Sequence, residues 1–278
     1  SASARKKAKD GCSLMYRQYP AAGGERARIL IAHGLGEHSG RYGHLVDRLI
    51  RKGIGVWAYD HRGHGQSGGK RGHIEKFSDY IEDLDLMIGA ARADLSDGIP
   101  FFLLGHSMGG LMVLYYCQRY PKQVDGVIAS SPGLATAEKV PAVKGKIGQI
   151  LSRVIPAVTM DNELDPRHLS HDTEVVDAYI NDPLVHRRIS ARWFTEFLNA
   201  MAETRRAADR IRVPVLLQVA GDDRIVDANT ARRFFETLTV ADKTLCFYDG
   251  LYHEIYNETD AQRQQVVAEL ENWLDSHI

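Results

Sequence analysis

The sequence predicts an α/β domain built on a mostly parallel sheet, with a helical segment inserted into it. Short apolar runs alternate with amphipathic helical patterns, which is typical of βαβ units. This alternation stops after residue 132 and resumes at residue 210. The chain has 278 residues, of which 44% are hydrophobic, so it can bury a large core. We therefore expect a core formed by residues 1–132 and 210–278, with a helical cap inserted over residues 133–209.

In the first half of the chain, each predicted strand is a short apolar run, and each predicted helix repeats apolar residues at intervals of three and four. The strands are expected at 28–33, 54–60, 101–104 and 124–130. The helices are expected at 42–52, 77–95 and 108–120. The basic run over residues 5–9 is expected to be a solvated tail; no apolar stretch follows it, which argues against an intact signal peptide.

The segment 133–209 contains no run that is typical of a strand. It shows three helical patterns, at 141–155, 172–181 and 190–208. Ser190 stands where it could cap the third of them. The strand–helix alternation then resumes with a strand at 213–219, a helix at 228–239, a strand at 244–249 and a helix at 260–275.

Composition excludes several classes of protein. Lys and Arg (35) nearly balance Asp and Glu (36), and the basic residues are scattered, so no nucleic-acid partner is indicated. No apolar run approaches the roughly 18–20 residues of a membrane span. Three cysteines are too few for a disulfide scaffold or a Cys-rich zinc site, and their odd number suits a reducing compartment such as the cytoplasm.

The strongest local signal is the pentapeptide Gly105-His106-Ser107-Met108-Gly109, a G-x-S-x-G sequence between a predicted strand and a predicted helix. A sharp turn at this point presents the serine hydroxyl above the sheet. The Met108 N–H lies at the helix start, where it can stabilise an oxyanion. The sequence therefore predicts Ser107 as a nucleophile.

A nucleophilic serine needs a base and an acidic partner, which on such a sheet follow in the order Ser, Asp, His. Asp222 and Asp223 come at the end of a predicted strand, and His253 follows the last strand. Both positions fall at the carboxyl ends of strands, where α/β sheets place their sites. His253 is the best candidate base, and either aspartate fits the acidic role on position alone.

The loop after the first predicted strand reads His33-Gly34-Leu35-Gly36. Its glycines permit close approach of the backbone, so the Leu35 N–H is the expected second oxyanion donor. The same loop resembles a dinucleotide-binding turn, but Ser39 stands where the third glycine of G-x-G-x-x-G is needed. The histidines of the core lie in separate loops without metal-ligand spacing, so we expect no metal site. A serine nucleophile with a histidine base needs no organic cofactor either.

The first helix of the insertion carries an apolar stripe. Its members are Val143, Ile147, Ile150, Leu151 and Val154. The stripe either packs on the domain below, or belongs to a lid that covers an acyl pocket and contacts lipid. These two interpretations do not exclude each other.

Six segments together resemble the monoacylglycerol lipases, serine hydrolases of the α/β-hydrolase fold. They are HGLGEHSGRY (33–42), YDHRGHGQSGGKRG (59–72), LLGHSMGG (103–110), VVDAYINDPLV (175–185), DDRIVD (222–227) and DGLYHEIYNE (249–258). The resemblance extends over essentially the whole chain, including the cap. It implies a fold with a mostly parallel central sheet flanked by helices and an inserted helical cap.

The resemblance also implies roles for individual residues. Ser107 matches the family's nucleophile, His253 its base and Asp223 its acidic member, while Leu35 and Met108 match the oxyanion-hole positions. The positions implied to contact substrate are Glu37, Arg41, Tyr179, Tyr256, Ile147 and Leu151. Tyr256 departs from family members that carry a histidine three residues after the catalytic one.

The expected activity is hydrolysis of a monoacylglycerol to glycerol and a fatty acid through an acyl-enzyme. The expected partner is a small lipid, with peripheral membrane contact through the cap. Another carboxylesterase, a lysophospholipase or an aminopeptidase on the same fold is the alternative within enzymes. A ligand-binding receptor that retains a slow triad is the alternative from another class.

Overall fold

The structure is a computed structural model that describes residues 2–120 and 123–278. Its strands are β1 (Ala2–Lys7), β2 (Ser13–Tyr19), β3 (Ala27–Ala32), β4 (Ile54–Tyr59), β5 (Phe101–His106), β6 (Gly126–Ser130), β7 (Thr159–Asp161), β8 (Arg188–Ser190), β9 (Val215–Ala220) and β10 (Lys243–Tyr248). Its α-helices are α1 (Gly43–Arg51), α2 (Phe77–Arg92), α3 (Met108–Arg119), α4 (Ala142–Val154), α5 (Thr173–Asn181), α6 (Ala191–Arg206), α7 (Ala228–Thr237) and α8 (Asp260–Asp275).

Eight strands form one sheet in the order β1-β2-β4-β3-β5-β6-β9-β10. Strands β4, β3, β5, β6, β9 and β10 pair in parallel. Strand β2 pairs antiparallel with β4, and β1 pairs antiparallel with β2. Every residue of β3, β4 and β5 is buried, as expected where helices cover both faces of a parallel sheet. The predicted α/β class with a mostly parallel sheet is confirmed.

Helices cover the sheet on both faces. On one face α1 and α8 bury apolar side chains such as Leu45, Leu49, Val266 and Leu270. On the other face α2, α3 and α7 form the larger cluster, which the insertion joins through Trp193 of α6. The carboxyl ends of the parallel strands are thereby fixed at one edge of the sheet, and the site lies there.

Two parts of the sequence-based prediction are wrong. The basic N-terminal run is not a tail, because residues 2–7 form the edge strand β1, which pairs with β2. Strand β2 was not predicted either. The insertion is not free of strands, because β7 and β8 pair antiparallel inside it. Strand β1 is fully exposed and β7 and β8 have three residues each, so none of the three shows an apolar pattern, whereas β2 has seven residues and buries Leu14 and Met15.

The insertion between β6 and β9 holds α4, α5 and α6 together with the β7–β8 pair. Helix α4 packs on α6 through its small residues, since Gly148 lies against Phe194 and the Ser152 hydroxyl accepts a hydrogen bond of 2.9 Å from Arg192. The opposite side of α4 carries the apolar stripe and faces outward. None of the described helices is long and apolar enough to cross a bilayer.

Candidate active site

Ser107 lies in a strained turn between β5 and α3. Its φ of 55° and ψ of −115° are unusual for a residue with a side chain. Hydrogen bonds fix this turn on both sides: the Ser107 N–H donates to the Ser130 carbonyl at 3.0 Å, and the Ser107 carbonyl accepts from the Gly133 N–H at 2.9 Å. The hydroxyl is thus held at the carboxyl edge of the sheet.

The glycines on either side of Ser107 are required by packing. A Cβ atom on Gly105 would lie 2.1 Å from the carbonyl oxygen of Gly109, and one on Gly109 would lie 2.0 Å from that of Ala32. The backbones of β5, α3 and β3 therefore approach one another more closely than a side chain at Gly105 or Gly109 would allow. This close approach brings the α3 N-terminus against the end of β3.

Asp223 and His253 form a short, buried pair. The His253 Nδ1–H donates to Asp223 Oδ2 at 2.6 Å, and both side chains are almost fully buried. The other carboxylate oxygen accepts from the backbone N–H groups of Ile225 and Val226, at 2.8 and 3.0 Å. Asp222, by contrast, has a half-exposed side chain that contacts Arg224. The geometry therefore separates the two aspartates that sequence position alone left open.

The pair sets the basicity of the histidine. Burial opposes protonation of His253, but the Asp223 carboxylate outweighs it, so the pKa of His253 lies above its ordinary value. Because Nδ1 is bonded to Asp223, Nε2 is the ring nitrogen left to serve Ser107. The neighbouring His106 differs, since burial and the nearby His253 lower its pKa to about 3.

The loop after β3 lies beside the nucleophile. Glu37 Oε1 accepts from the Gly34 N–H and from the Tyr42 hydroxyl, both at 2.7 Å. The insertion binds the same loop, because the His186 N–H donates to the Gly36 carbonyl at 2.9 Å. These bonds fix the segment that carries the Leu35 N–H.

A buried charge network adjoins this loop. The Arg41 guanidinium binds Glu254 with two hydrogen bonds, of 2.6 and 2.8 Å, and binds Glu37 at 2.9 Å. Burial works against ionisation of Glu254, but the attraction of Arg41 outweighs it and lowers the pKa of Glu254 to about 2. Burial raises the pKa of Glu37, against the pull of Arg41. Two buried carboxylates thus share one cation.

Ser107 and His253 line one small cavity of about 20 Å³. Its other lining residues are Gly34, Leu35, Glu37, His106, Leu164, Leu169, Tyr179, Ile225 and Glu254. Leu164 and Ile225 also line a second cavity, of about 400 Å³, which runs under α4. Ser107 therefore lies between a side that holds the buried carboxylates and a larger side that includes Ile147, Leu151 and Phe194.

Residues 23–260 match the family described as serine aminopeptidase S33. A monoacylglycerol lipase of Mycolicibacterium smegmatis is 33% identical over 270 residues, which is 96% of this chain and 95% of the relative. The crystal structure of a Paleococcus ferrophilus monoacylglycerol lipase superposes with a TM-score of 0.87 at 39% identity and covers 95% of this chain and 99% of that chain. The chain belongs to the monoacylglycerol lipase family. The predicted α/β-hydrolase fold and the predicted class of carboxylic ester hydrolase are confirmed.

A further member of the monoacylglycerol lipase family carries ligand information: a soluble variant of the Saccharomyces cerevisiae enzyme, solved with a substrate analog. It is 26% identical to this chain, has a TM-score of 0.89, and covers 99% of this chain and 94% of that chain. The likeness includes the insertion.

The structure brings most of the sequence-predicted site residues together. Tyr179 lines the small cavity, and the Arg41 guanidinium stacks on its ring at 4.8 Å. Ile147 and Leu151 line the larger cavity. Tyr256 lies elsewhere in this family member: it is buried in the core on the α8 side, and its hydroxyl donates to Gln218. The short helical turn Ile255–Asn257 carries it away from the cavity.

Sequence reasoning missed Glu254. It directly follows His253 and is buried beside Ser107. The signal was present in the run DGLYHEIYNE, where an acidic residue directly follows the predicted base. Together with Glu37 and His106 it offers ligand atoms that lie within 4.8 Å of one another. Both carboxylates are bound to Arg41, so a cation already occupies the position between them.

Proposed function

We propose that the chain hydrolyses monoacylglycerols to glycerol and a fatty acid through an acyl-enzyme on Ser107. The observation that carries this proposal is the position of Ser107 and His253 between two unlike cavities. An ester with a long apolar arm and a short polar arm fits that arrangement, because the larger cavity offers the apolar side chains of Ile147, Leu151 and Phe194 and the small one offers the hydrogen-bonding groups of Glu37 and Glu254.

In the proposed mechanism, His253 Nε2 accepts the Ser107 hydroxyl proton as the oxygen attacks the ester carbonyl. Asp223 fixes the imidazole tautomer and stabilises the imidazolium. The N–H groups of Leu35 and Met108 stabilise the oxyanion, and the second lies at a helix N-terminus where backbone donors have no partner within the helix. His253 then protonates the leaving alcohol and later activates water for deacylation.

The insertion is proposed to act as a cap over this site. Its side chains contribute much of the larger cavity, and its loops contact the segment that carries the base, since the N–H groups of His253 and Glu254 donate to the carbonyls of His168 and Leu169 at 3.5 and 2.8 Å. The acyl chain would lie under α4, against Ile147 and Leu151. Glycerol would lie on the side of Glu37 and Tyr179.

The family description names an alternative function, that of an aminopeptidase. Such an enzyme needs acidic side chains that are free to bind an amino terminus. The two acidic residues of this cavity, Glu37 and Glu254, are instead both bound to Arg41. The acidic cluster therefore favours an ester substrate over a peptide.

The proposed function is tested by turnover on a panel of monoacylglycerols, triacylglycerols, lysophospholipids and aminoacyl amides. We expect the highest kcat/KM for monoacylglycerols. Faster hydrolysis of the amides would contradict the proposal in favour of a peptidase. Stoichiometric labelling of Ser107 with negligible turnover on every ester would favour a receptor.

The pH dependence of kcat/KM should show an acid limb. Only the neutral imidazole of His253 accepts the serine proton, so activity is full above its pKa and falls as the pH drops through it. Because Asp223 raises this pKa, the midpoint should lie above the ordinary histidine value of about 6.5. Rates on a soluble short-chain ester, measured across the pH range where the fold is intact, give the midpoint. A profile that stays flat down to pH ~4 contradicts a histidine base.

We further propose a cytoplasmic enzyme that binds membranes peripherally through α4. Val143, Ile147, Ile150 and Val154 are 51 to 72% exposed, on the side of α4 that faces away from α6. Lys144, Lys146 and Arg153 on the same helix would favour anionic headgroups. An amphipathic helix with this pattern supports docking on a lipid surface.

Val143→Asp combined with Val154→Asp should weaken vesicle binding and activity on long-chain monoacylglycerols by roughly tenfold or more, since each buried methylene contributes about 0.8 kcal/mol. Neither residue lines a cavity, so activity on a short soluble ester should persist. Vesicle flotation and kinetics on both substrates measure this.

The matched control is Ile278→Asp, which adds a charge at an exposed apolar residue on the C-terminal segment, away from the insertion. It should leave flotation and both activities unchanged. If the α4 variants bind vesicles and hydrolyse long-chain substrate like the parent chain, the docking proposal is wrong. If they unfold, the stripe is part of the core.

A further inference from the structure

The polar side of the cavity has an unusual charge balance. Glu37 and Glu254 are at most 5% exposed, and both bind the single guanidinium of Arg41. His106, the other polar group on this side, has its pKa lowered to about 3 and is uncharged at neutral pH. Two buried carboxylates beside Ser107 therefore share one buried guanidinium, so acidic groups outnumber basic ones on this side of the cavity.

In the proposed mechanism the leaving group lies against this carboxylate-rich side. The acyl arm belongs in the larger cavity under α4, so the alcohol arm must lie against the carboxylates that line the small cavity. Buried charges are poorly screened, and a second negative charge brought there is repelled more strongly than in water. A neutral alcohol carries no such penalty, and its hydroxyl groups can donate to carboxylate oxygens.

We propose that Glu254 is a specificity-determining residue that makes the leaving-group pocket electronegative and selects esters of uncharged alcohols over esters of phosphate-bearing alcohols. Glu254 is the member to test, because Arg41 also binds Glu37: without the Glu254 carboxylate, one carboxylate would remain beside one guanidinium, whereas Glu37 also supports the loop through the Gly34 N–H. The inference rests on the proposed function and specifies its substrate class: neutral glycerides rather than anionic lysophospholipids.

The test compares two matched pairs of hexanoyl esters at pH ~8, well above the ordinary carboxyl pKa values. The first pair is monohexanoylglycerol and its phosphate ester, hexanoyl lysophosphatidate. The second pair is para-nitrophenyl hexanoate and para-sulfophenyl hexanoate, which differ mainly in leaving-group charge. The readout is the ratio of kcat/KM for the neutral ester to that for the anionic ester.

Glu254→Gln should reduce this ratio roughly 10- to 100-fold in both pairs, the range expected for removing one charge several ångströms from another at intermediate dielectric. Effects of the substitution on the basicity of His253 apply to both esters and cancel in the ratio. The control is Asp222→Asn, which removes one negative charge from a half-exposed side chain outside the cavity. It should leave the ratio within about twofold, as expected for a screened surface charge.

An unchanged ratio in Glu254→Gln, with an unfolding midpoint like that of the parent chain, overturns the proposal. If Glu254→Gln does not fold, Glu37→Gln removes the other carboxylate charge and is interpreted in the same way. If the parent chain hydrolyses the aryl esters but not monohexanoylglycerol, the proposed function fails, and the aryl pair alone still decides whether Glu254 selects against charge.

Discussion

Ser107→Ala should abolish ester hydrolysis while leaving the fold intact. The substitution removes the attacking oxygen, and in other enzymes of this mechanism the loss of one triad member lowers kcat by about 10⁴- to 10⁶-fold. The Ser107 side chain makes no hydrogen bond within the described residues, and alanine would occupy the same strained backbone position. Hydrolysis of monohexanoylglycerol and the thermal unfolding midpoint measure the two effects separately.

The matched control is Ser96→Ala, at an exposed serine of the loop before β5. It should retain full turnover and full labelling by a fluorophosphonate, whereas Ser107→Ala should lose both. Labelling at another serine, or turnover that persists in Ser107→Ala, contradicts the assignment of the nucleophile.

The central strands were predictable because their burial leaves a hydrophobic pattern within each short segment. Strands β3, β5 and β9 are buried on both faces, so each is an unbroken apolar run bounded by turn residues. Strand β1 is the opposite case: all six of its residues are exposed, and only backbone bonds to β2 hold it. No hydrophobic pattern marks such a strand. Strands β7 and β8, with three residues each, are too short for any periodicity to show.

The site likewise has parts that the sequence predicted and parts that it did not. That Ser107 and His253 line one cavity was predictable, because a G-x-S-x-G turn and a loop after the last strand both lie at the carboxyl edge of a parallel sheet. The network of Arg41 with Glu254 was not, because it joins residues 213 positions apart, and their pairing depends on how two loops meet. The same applies to Tyr256, whose place in the core follows from a helical turn that sequence spacing did not reveal.

The cap interpretation also depended on tertiary packing. The α4 stripe was compatible with burial or exposure, since its pattern is amphipathic in either case. The structure resolves this through the small residues Gly148 and Ser152, which form the side of α4 that packs on α6. The larger apolar residues are thereby left on the outside, except for Leu151, which is half-buried and lines the cavity.

The adjacent aspartates provide the sharpest test of the triad. Asp223→Asn should lower kcat by about 10⁴-fold, whereas Asp222→Asn should change it by no more than about a few-fold. The two substitutions are chemically identical and one residue apart, so they serve as matched controls for each other.

The physical reason for the difference is the tautomer of the base. Asp223 Oδ1 is fixed by two backbone N–H groups, and Oδ2 accepts the His253 Nδ1–H at 2.6 Å. An asparagine held in this position presents an NH₂ group to Nδ1, which moves the imidazole proton to Nε2 and removes the lone pair that accepts the serine proton. Asp222 has no contact with the ring, and its side chain is half-exposed. Single-turnover kinetics on para-nitrophenyl hexanoate, together with unfolding midpoints, measure both variants. A greater loss in Asp222→Asn than in Asp223→Asn would show that the other carboxylate orients His253.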